Sequence, residues 1–296
     1  MNKCGYVAVI GRPNVGKSTL INKIVGEKVS IVTAKPQTTR HQILAIKTSK
    51  RGQILFIDTP GMHVGYKKAL NKYMNKAAAS AVLDVDLILF IVESLKWNND
   101  DEQALKALKH TDTPVILIIN KADLIKDKEK LLPYANKVAQ QYDFKEIFYI
   151  SASKGKGVND LENKIYQLLP ESENFYAEDQ LTDKSTRYLV SELIREQLTL
   201  RLHQELPYSL TVEVESYDDK GHIIHIHALI WVEREIQKNM VIGKQGETLK
   251  HVGIQARKEI QALVGKKVHL KLWAKVKSAW ADNDRLLQQL GYKEDF

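Results

Sequence analysis

The first half of the chain alternates short apolar runs with amphipathic stretches. Residues 6–10, 53–57, 86–92, 114–119 and 146–150 are apolar runs of the buried-strand type. Between them, residues 17–25, 101–109 and 131–141 carry apolar positions at helical spacing. Strands separated by helices predict an α/β fold, a mostly parallel sheet covered by helices, with ligand loops at the C-terminal ends of the strands.

The pattern changes near Pro170. Residues 171–183, ESENFYAEDQLTD, are polar and acidic and read as an interdomain connection, with the linker proper at 173–183. Leu189, Leu193, Leu198 and Leu202 then mark one face of an amphipathic helix over 184–205, expected to pack on its own domain and to end before Pro207. Strands follow at 209–216 and 222–232, joined by a turn at 218–221. A helix pair brackets the loop from Gly243 to Gly246. Residues 268–276, VHLKLWAKV, alternate strictly and read as a strand, and a last helix covers 280–290. The pattern divides the chain into an α/β domain over 1–172 and an α+β domain over 184–296.

At 296 residues the chain has room for about two ordinary domains. No run reaches the roughly 18 apolar residues of a membrane span; the most apolar stretch, 82–92, is interrupted by Asp84 and Asp86. The N-terminus enters a strand at once and lacks a signal peptide's cleavage site. Cys4 is the sole cysteine, which excludes an intrachain disulfide and suits a reducing, cytoplasmic location. The net charge is +8, and residues 234–277 hold eleven Lys or Arg against three Glu, an excess equal to that of the whole chain. Such a stretch attracts phosphate backbones or anionic membrane, or is a solvated basic face.

Residues 11–18 read GRPNVGKS, a complete G-x-x-x-x-G-K-[ST] phosphate loop between a strand and a helix. The loop of Gly11, Arg12, Pro13, Asn14, Val15 and Gly16, continuing through Thr19, is placed to surround phosphate with its backbone N–H groups at a helix N-terminus. Lys17 reaches the β- and γ-phosphates and Ser18 ligates Mg2+. Asp58, Thr59, Pro60 and Gly61 form DTPG at the end of the QILFID strand. Asp58 holds Mg2+ through water, and the Gly61 N–H meets the γ-phosphate, an interaction that hydrolysis removes. In Asn120-Lys121-Ala122-Asp123, the Asp123 carboxylate accepts from guanine N1–H and the exocyclic amine; adenine would leave it unpaired, at roughly 1–3 kcal/mol. Asn120 ties the base loop to the phosphate loop, the Lys121 stem covers the base, and Ser151, Ala152 and Ser153 close over it. Four motifs in this order specify GTP and GDP, Mg2+ and a switch.

This arrangement resembles the translation-factor-related GTPase class over residues 5 to about 170, and within it GRPNVGKST, PQTTRH and DTPG look like the Era branch. The resemblance implies a P-loop GTPase domain in which a threonine ahead of the DTPG strand ligates Mg2+. Thr38 and Thr39 both qualify; Thr39, directly before Arg40, matches related families and joins Lys17 and Gly61 in the catalytic set. Asn14 matches an asparagine that binds K+ in potassium-activated relatives, or else makes ordinary loop hydrogen bonds. Ras-like enzymes place a water-orienting glutamine just after DxxG; here Met62 and His63 stand there, so slow or assisted hydrolysis is expected, His63 being one candidate base. Ordering of residues 34–41 and 59–66 around the γ-phosphate is expected to change how the two domains pack.

Residues 241–247, VIGKQGE, carry a GxxG loop between two helices. In KH domains such a loop clamps about four nucleotides against an apolar groove. The order helix, strand, strand, GxxG helix pair, strand, helix resembles a type II KH domain over about 184–290. Ile242, Gly243, Lys244, Gln245 and Gly246 with Lys250, Arg257 and Lys258 are the candidate RNA contacts. An Era-like GTPase domain ahead of a KH domain makes the whole chain similar to the Era family of bacterial ribosome-assembly GTPases. That implies binding to the 3′ end of small-subunit ribosomal RNA in the assembling 30S subunit, a monomeric state, and peripheral contact with the inner membrane surface. The other readings are a membrane-acting switch, an RNA-modification GTPase and an RNA-binding module with a vestigial nucleotide site. His225 and His227 share a strand face opposite His222 with no set completing a metal site, and Trp231, Trp273 and Trp280 are core residues or base-stacking ones.

Overall fold

A computed structural model of the chain describes residues 2–61, 69–109, 111–202, 206–290 and 292. The first domain is built on strands β1 (Lys3–Ile10), β2 (Ile43–Ser49), β3 (Gly52–Asp58), β4 (Leu87–Glu93), β5 (Val115–Asn120) and β6 (Glu146–Tyr149), in spatial order β2-β3-β1-β4-β5-β6. All pairings are parallel except β2 with β3. Every residue of β3, β4 and β5 is buried, which is why these segments read as continuous apolar runs. Alternate residues feed two cores. Val7, Leu89 and Ile118 face α1 (Lys17–Val25) and α5 (Val158–Leu168). Ala8, Phe90 and Ile119 face α3 (Asn99–Lys106) and α4 (Leu131–Ala139). α2 (Ala69–Ser80) lies between β3 and β4 in sequence. The four nucleotide motifs follow β1, β3, β5 and β6, so all reach the same end of the sheet.

The 173–183 segment is not a free tether. Phe175 and Tyr176 N–H both donate to the fully buried Gln53 Oε1 at 3.0 Å, and Ile46 N–H donates to Leu181 O at 2.9 Å. The segment runs back along the first sheet as part of its edge.

In the second domain, α6 (Thr186–Arg201) precedes β7 (Leu210–Asp219), β8 (Ile223–Val232), α7 (Glu235–Ile242), α8 (Glu247–Val264), β9 (Lys267–Val276) and α9 (Asp284–Gln289). β8 is central, antiparallel to β7 and parallel to β9. α6, α7 and α8 cover one face, over Ile224, Ile226, Ala228 and Ile230. The helix expected over 184–205 ends at Arg201, and residues 203–205 lie outside the described ones. The helix expected over 280–290 is a short 3-10 turn, Trp280–Asp282, and then α9, capped by Asn283. Trp280 is a core residue, fully buried with its indole N–H on Ser209 O.

The domains meet through polar bonds to main chain. Leu193, Leu198 and Leu202 pack inward on the second core, as the spacing predicts, while Leu189 is half-buried outside it. The other face of α6, with Glu192, Arg195, Glu196 and Thr199, is also buried, and it is turned to residues 28–38. Arg195 donates to Thr38 O and is gripped by Glu192, Nε to Oε1 at 2.7 Å. Glu196 Oε1 accepts from Val32 N–H at 2.9 Å, and its other oxygen pairs with Lys28. Lys35 donates to Thr199 O at 2.5 Å and to Leu202 O. From the first domain, Arg40, 1% exposed, donates to Leu210 O at 2.7 Å, Pro207 O at 2.9 Å and Tyr208 O at 3.3 Å. Beside it His41 stacks on Tyr292 with centroids 4.3 Å apart, and Leu70 and Met74 of α2 form a shared core with Trp280 and Leu287.

Arg40→Ala would leave buried carbonyls without their charged donor. It is expected to cost about 2 kcal/mol, lowering the thermal midpoint by roughly 5 °C and opening the domain junction to limited proteolysis. An unchanged midpoint and cleavage pattern would show that Arg40 contributes nothing to docking.

Candidate functional site

The phosphate loop is shaped by backbone that side chains tolerate poorly. Gly16 has φ +106°, and a Cβ there would fall 2.3 Å from Asn120 Nδ2. Asn14 also has positive φ, and its Nδ2 donates to Ala34 O at 2.8 Å, tying the loop to the segment below it. Lys17 folds back over the loop. Its Nζ donates to Gly11 O at 2.9 Å and Arg12 O at 3.0 Å, and burial pulls its pKa down to about 8, against the opposite pull of Asp58.

Three oxygens converge beside Lys17. Ser18 Oγ lies 2.7 Å from Asp58 Oδ2 and 3.0 Å from Thr39 Oγ1. Of the two candidate threonines, Thr39 meets Ser18; Thr38 Oγ1 bonds instead to Thr33 Oγ1 and Lys35 O, both at 2.7 Å. Asp58 Oδ1 is buried with no hydrogen-bond partner. Burial raises the Asp58 pKa, opposed by Ser18 and Lys17. Two hydroxyls and a carboxylate with an orphaned oxygen suit a hard divalent cation such as Mg2+. Among the described residues no cluster of three His, Cys, Asp or Glu offers a rival metal site.

The base side is tied to the phosphate side by one residue. Asn120 donates to Val15 O at 2.7 Å and accepts from Ala152 N–H at 3.0 Å, linking the first, third and fourth motifs. A cavity of about 320 Å³ runs between them, lined by Gly16, Thr19, Asn120, Lys121, Asp123 and Ala152 among others. Asp123 is exposed, and Ser151 is buried with its Oγ near Ser153 Oγ, at 3.4 Å. Pro13 and Gly61 line the phosphate end. Thr59 is fixed away from it, its hydroxyl on Val9 O at 2.8 Å, and Pro60 is buried beside it. Met62 and His63, and with them the candidate base for the attacking water, lie outside the described residues.

Arg12 does not point into the cradle. Its guanidinium binds Asp101 at 3.0 Å and Glu93 at 3.2 Å. Glu93 also takes Lys121 at 2.8 Å and Lys96 at 2.6 Å. Burial opposes ionisation of Glu93, yet the hydrogen bonds and charges of Lys121 and Lys96 bring its pKa down to about 2. A single carboxylate therefore braces the phosphate loop against the base loop. Sequence reasoning passed over Glu93 and Asp101; the signal available was an acid ending a strand that is otherwise wholly apolar, LILFIVE.

In the second domain Gly243 has φ +75°, and a Cβ there would meet Thr248 Oγ1 at 2.2 Å. The loop hands the chain into α8 with Lys244 and Gln245 exposed and Ile242 half-buried. A groove of about 330 Å³ opens beside it, lined by Gly246, Leu249, Lys250, Ile254, Arg257, Leu270 and Leu272. Lys250 and Arg257 flank the apolar floor expected beside a GxxG loop, whose residues Leu249, Ile254, Leu270 and Leu272 the sequence did not single out. Lys258 is exposed but outside the groove lining.

Two family models match the chain: a 50S ribosome-binding GTPase family over residues 6–121 and a KH domain over residues 205–281. The chain is 49% identical to GTPase Era of Ectopseudomonas mendocina over 99% of its length and 98% of the relative's. It is 51% identical to GTPase Era of Glaesserella parasuis, at 99% and 98% coverage. Its fold is similar, with TM-score 0.95 and 36% identity over 99% of each chain, to a crystal structure of Era in complex with MgGDPNP and nucleotides 1506–1542 of 16S ribosomal RNA. An Aquifex aeolicus Era variant bound to GDP and AlF4− gives 0.94 at 36% identity, over 98% and 99% of the two chains.

Asp123→Asn exchanges a double acceptor for an acceptor and a donor. GTP affinity is expected to fall about tenfold or more, and xanthosine triphosphate, which carries a carbonyl where guanine has its amine, is expected to bind better than GTP. Retained GTP preference in a competition assay would remove Asp123 from base recognition.

Proposed function

The chain belongs to the Era family of GTPases, and on that premise we propose that it couples GTP hydrolysis to binding the 3′ end of small-subunit ribosomal RNA during assembly of the 30S subunit. In this reading Ser18, Thr39 and Asp58 hold Mg2+, which when bound neutralises phosphate charge. Lys17 moves from the loop carbonyls to the β- and γ-phosphates, and the Gly61 N–H meets the γ-phosphate. Asp123 selects guanine. The GxxG loop and the groove between α8 and β9 take RNA, as Era does in its complex with nucleotides 1506–1542 of 16S ribosomal RNA.

One observation carries the coupling. The stretch from Val32 to Thr39, whose last residue meets Ser18, is bonded through its own backbone to α6 of the second domain. A γ-phosphate that rearranges this stretch must break or remake those bonds, so the two domains feel the nucleotide. Asn14 is our proposed K+ site, since it already joins the phosphate loop to the Ala34 carbonyl; with no glutamine after DTPG, faster turnover in potassium than in sodium is expected. We further place the protein in the cytoplasm as a monomer that touches the inner membrane surface only peripherally. Its basic second half supplies the attraction for anionic lipid, and no helix of the described residues is long and apolar enough to cross a membrane.

RNA crosslinked in cell extract and sequenced tests this function. With a non-hydrolysable GTP analogue, enrichment of the small-subunit RNA 3′ end is expected, and with GDP much less. Equal enrichment in both states would keep the RNA and remove the coupling; no specific RNA in either would overturn the reading.

A further inference from the structure

β9 is an edge strand with two unlike faces. Leu270 and Leu272 point to the helices and line the GxxG groove. On the opposite face Lys267, His269, Lys271, Trp273 and Lys275 are all exposed, and no helix of the described residues covers them, because α6, α7 and α8 lie on the other side of the sheet. Trp273 is 57% exposed. In strand geometry it stands about 7 Å from Lys271 and from Lys275 along the same face. The ladder with β8 extends this surface inward: Leu229 lies opposite Trp273, His227 opposite Lys271 and Trp231 opposite Lys275. Trp231 is pinned by its indole N–H on Glu213 at 2.7 Å, and the amino groups of Lys277 and Lys275 sit 5.2 and 5.9 Å from its ring centroid. β9 carries no acidic residue; the acids of this face, Glu213, Glu215 and Asp218, are on β7, two strands away.

An aromatic ring between lysines on an open strand is suited to single-stranded nucleic acid, with bases stacking and phosphates neutralised. Its position decides which strand. The groove and this face are the two sides of one edge strand, so RNA leaving the groove has only the width of β9 to cross. We infer that the outer face of β8 and β9 is a second RNA surface, which takes the single-stranded segment running out of the GxxG groove, with a base on Trp273 and phosphates on Lys271 and Lys275. This rests on the RNA-binding reading above.

Fluorescence anisotropy with the full chain tests it, using single-stranded RNA of about four nucleotides, the groove's length, and of roughly three times that. The variant K271A/W273A/K275A is expected to bind the short RNA like wild type and the long RNA about tenfold more weakly. Its salt dependence for the long RNA should be shallower by about 0.7 for each phosphate no longer neutralised. W273A alone should weaken long-RNA binding and W273F, which keeps a stacking ring, should restore it. The exposed-loop variant K244D/Q245D separates the two readings. If it loses the long RNA while the triple variant does not, the second surface is overturned and the groove stands. If neither loses it, the RNA reading falls as well. A triple variant that binds RNA normally but no longer binds phosphatidylglycerol vesicles would make this face a lipid contact and overturn the proposal.

Discussion

Arg195 donates to the carbonyl oxygen of Thr38 while Glu192, one turn earlier on the same helix, holds its charge. Both residues are buried, and each keeps the other ionised despite that burial, Glu192 below the usual carboxylate range and Arg195 above its ordinary value. A buried pair of this kind gains little over apolar packing, but removing one partner strands a charge in the interior. Its worth here is positional. It fixes main chain rather than another side chain, so it sets where residues 37 and 38, and hence Thr39, stand relative to Ser18 and Asp58.

The neighbouring contacts repeat the device. Glu196 takes the Val32 N–H, Lys35 reaches the end of α6, and Arg40 returns the gesture by binding carbonyls of the second domain. Main-chain groups of an irregular segment need partners when buried, and here Val32 N–H, Gln37 O and Thr38 O find theirs in the other domain. That makes the segment a shared part. It touches the phosphate site through Thr39 on Ser18 and the second domain through Val32 and Thr38. The aromatic stack of His41 on Tyr292 extends the same junction, and burial pulls the His41 pKa down to about 4, so the ring is neutral at physiological pH.

How far the sequence carried the structure depends on the range of the interactions. The phosphate loop, DTPG, NKAD and GxxG were legible because each is a short contiguous stretch whose backbone must meet a ligand. β3, β4 and β5 were legible because burial on both faces leaves only apolar residues. β2 escaped because ILAIKTS is half-buried at the sheet's edge, and α2 and α5 carry no local mark as strong as a motif. Nothing local marks the polar face of α6 as interior; only the docked first domain buries Glu192, Arg195 and Glu196. The pairing of Glu93 and Asp101 with Arg12 was not legible, because Arg12 lies 81 and 89 residues away from them. The acidic 173–183 stretch gave no sign that Gln53 would hold it.

Amide hydrogen exchange tests most directly the claim that the second domain holds this segment. In Glu192→Met/Arg195→Met the ion pair is replaced by apolar side chains of similar reach, so neither charge is left buried alone. The amides of residues 32–41 are predicted to exchange about tenfold or more faster than in the wild-type protein, while those of β1, β4 and β5 keep their rates. Equal protection of residues 32–41 in both proteins would contradict the account, leaving the nucleotide site to order its own segment.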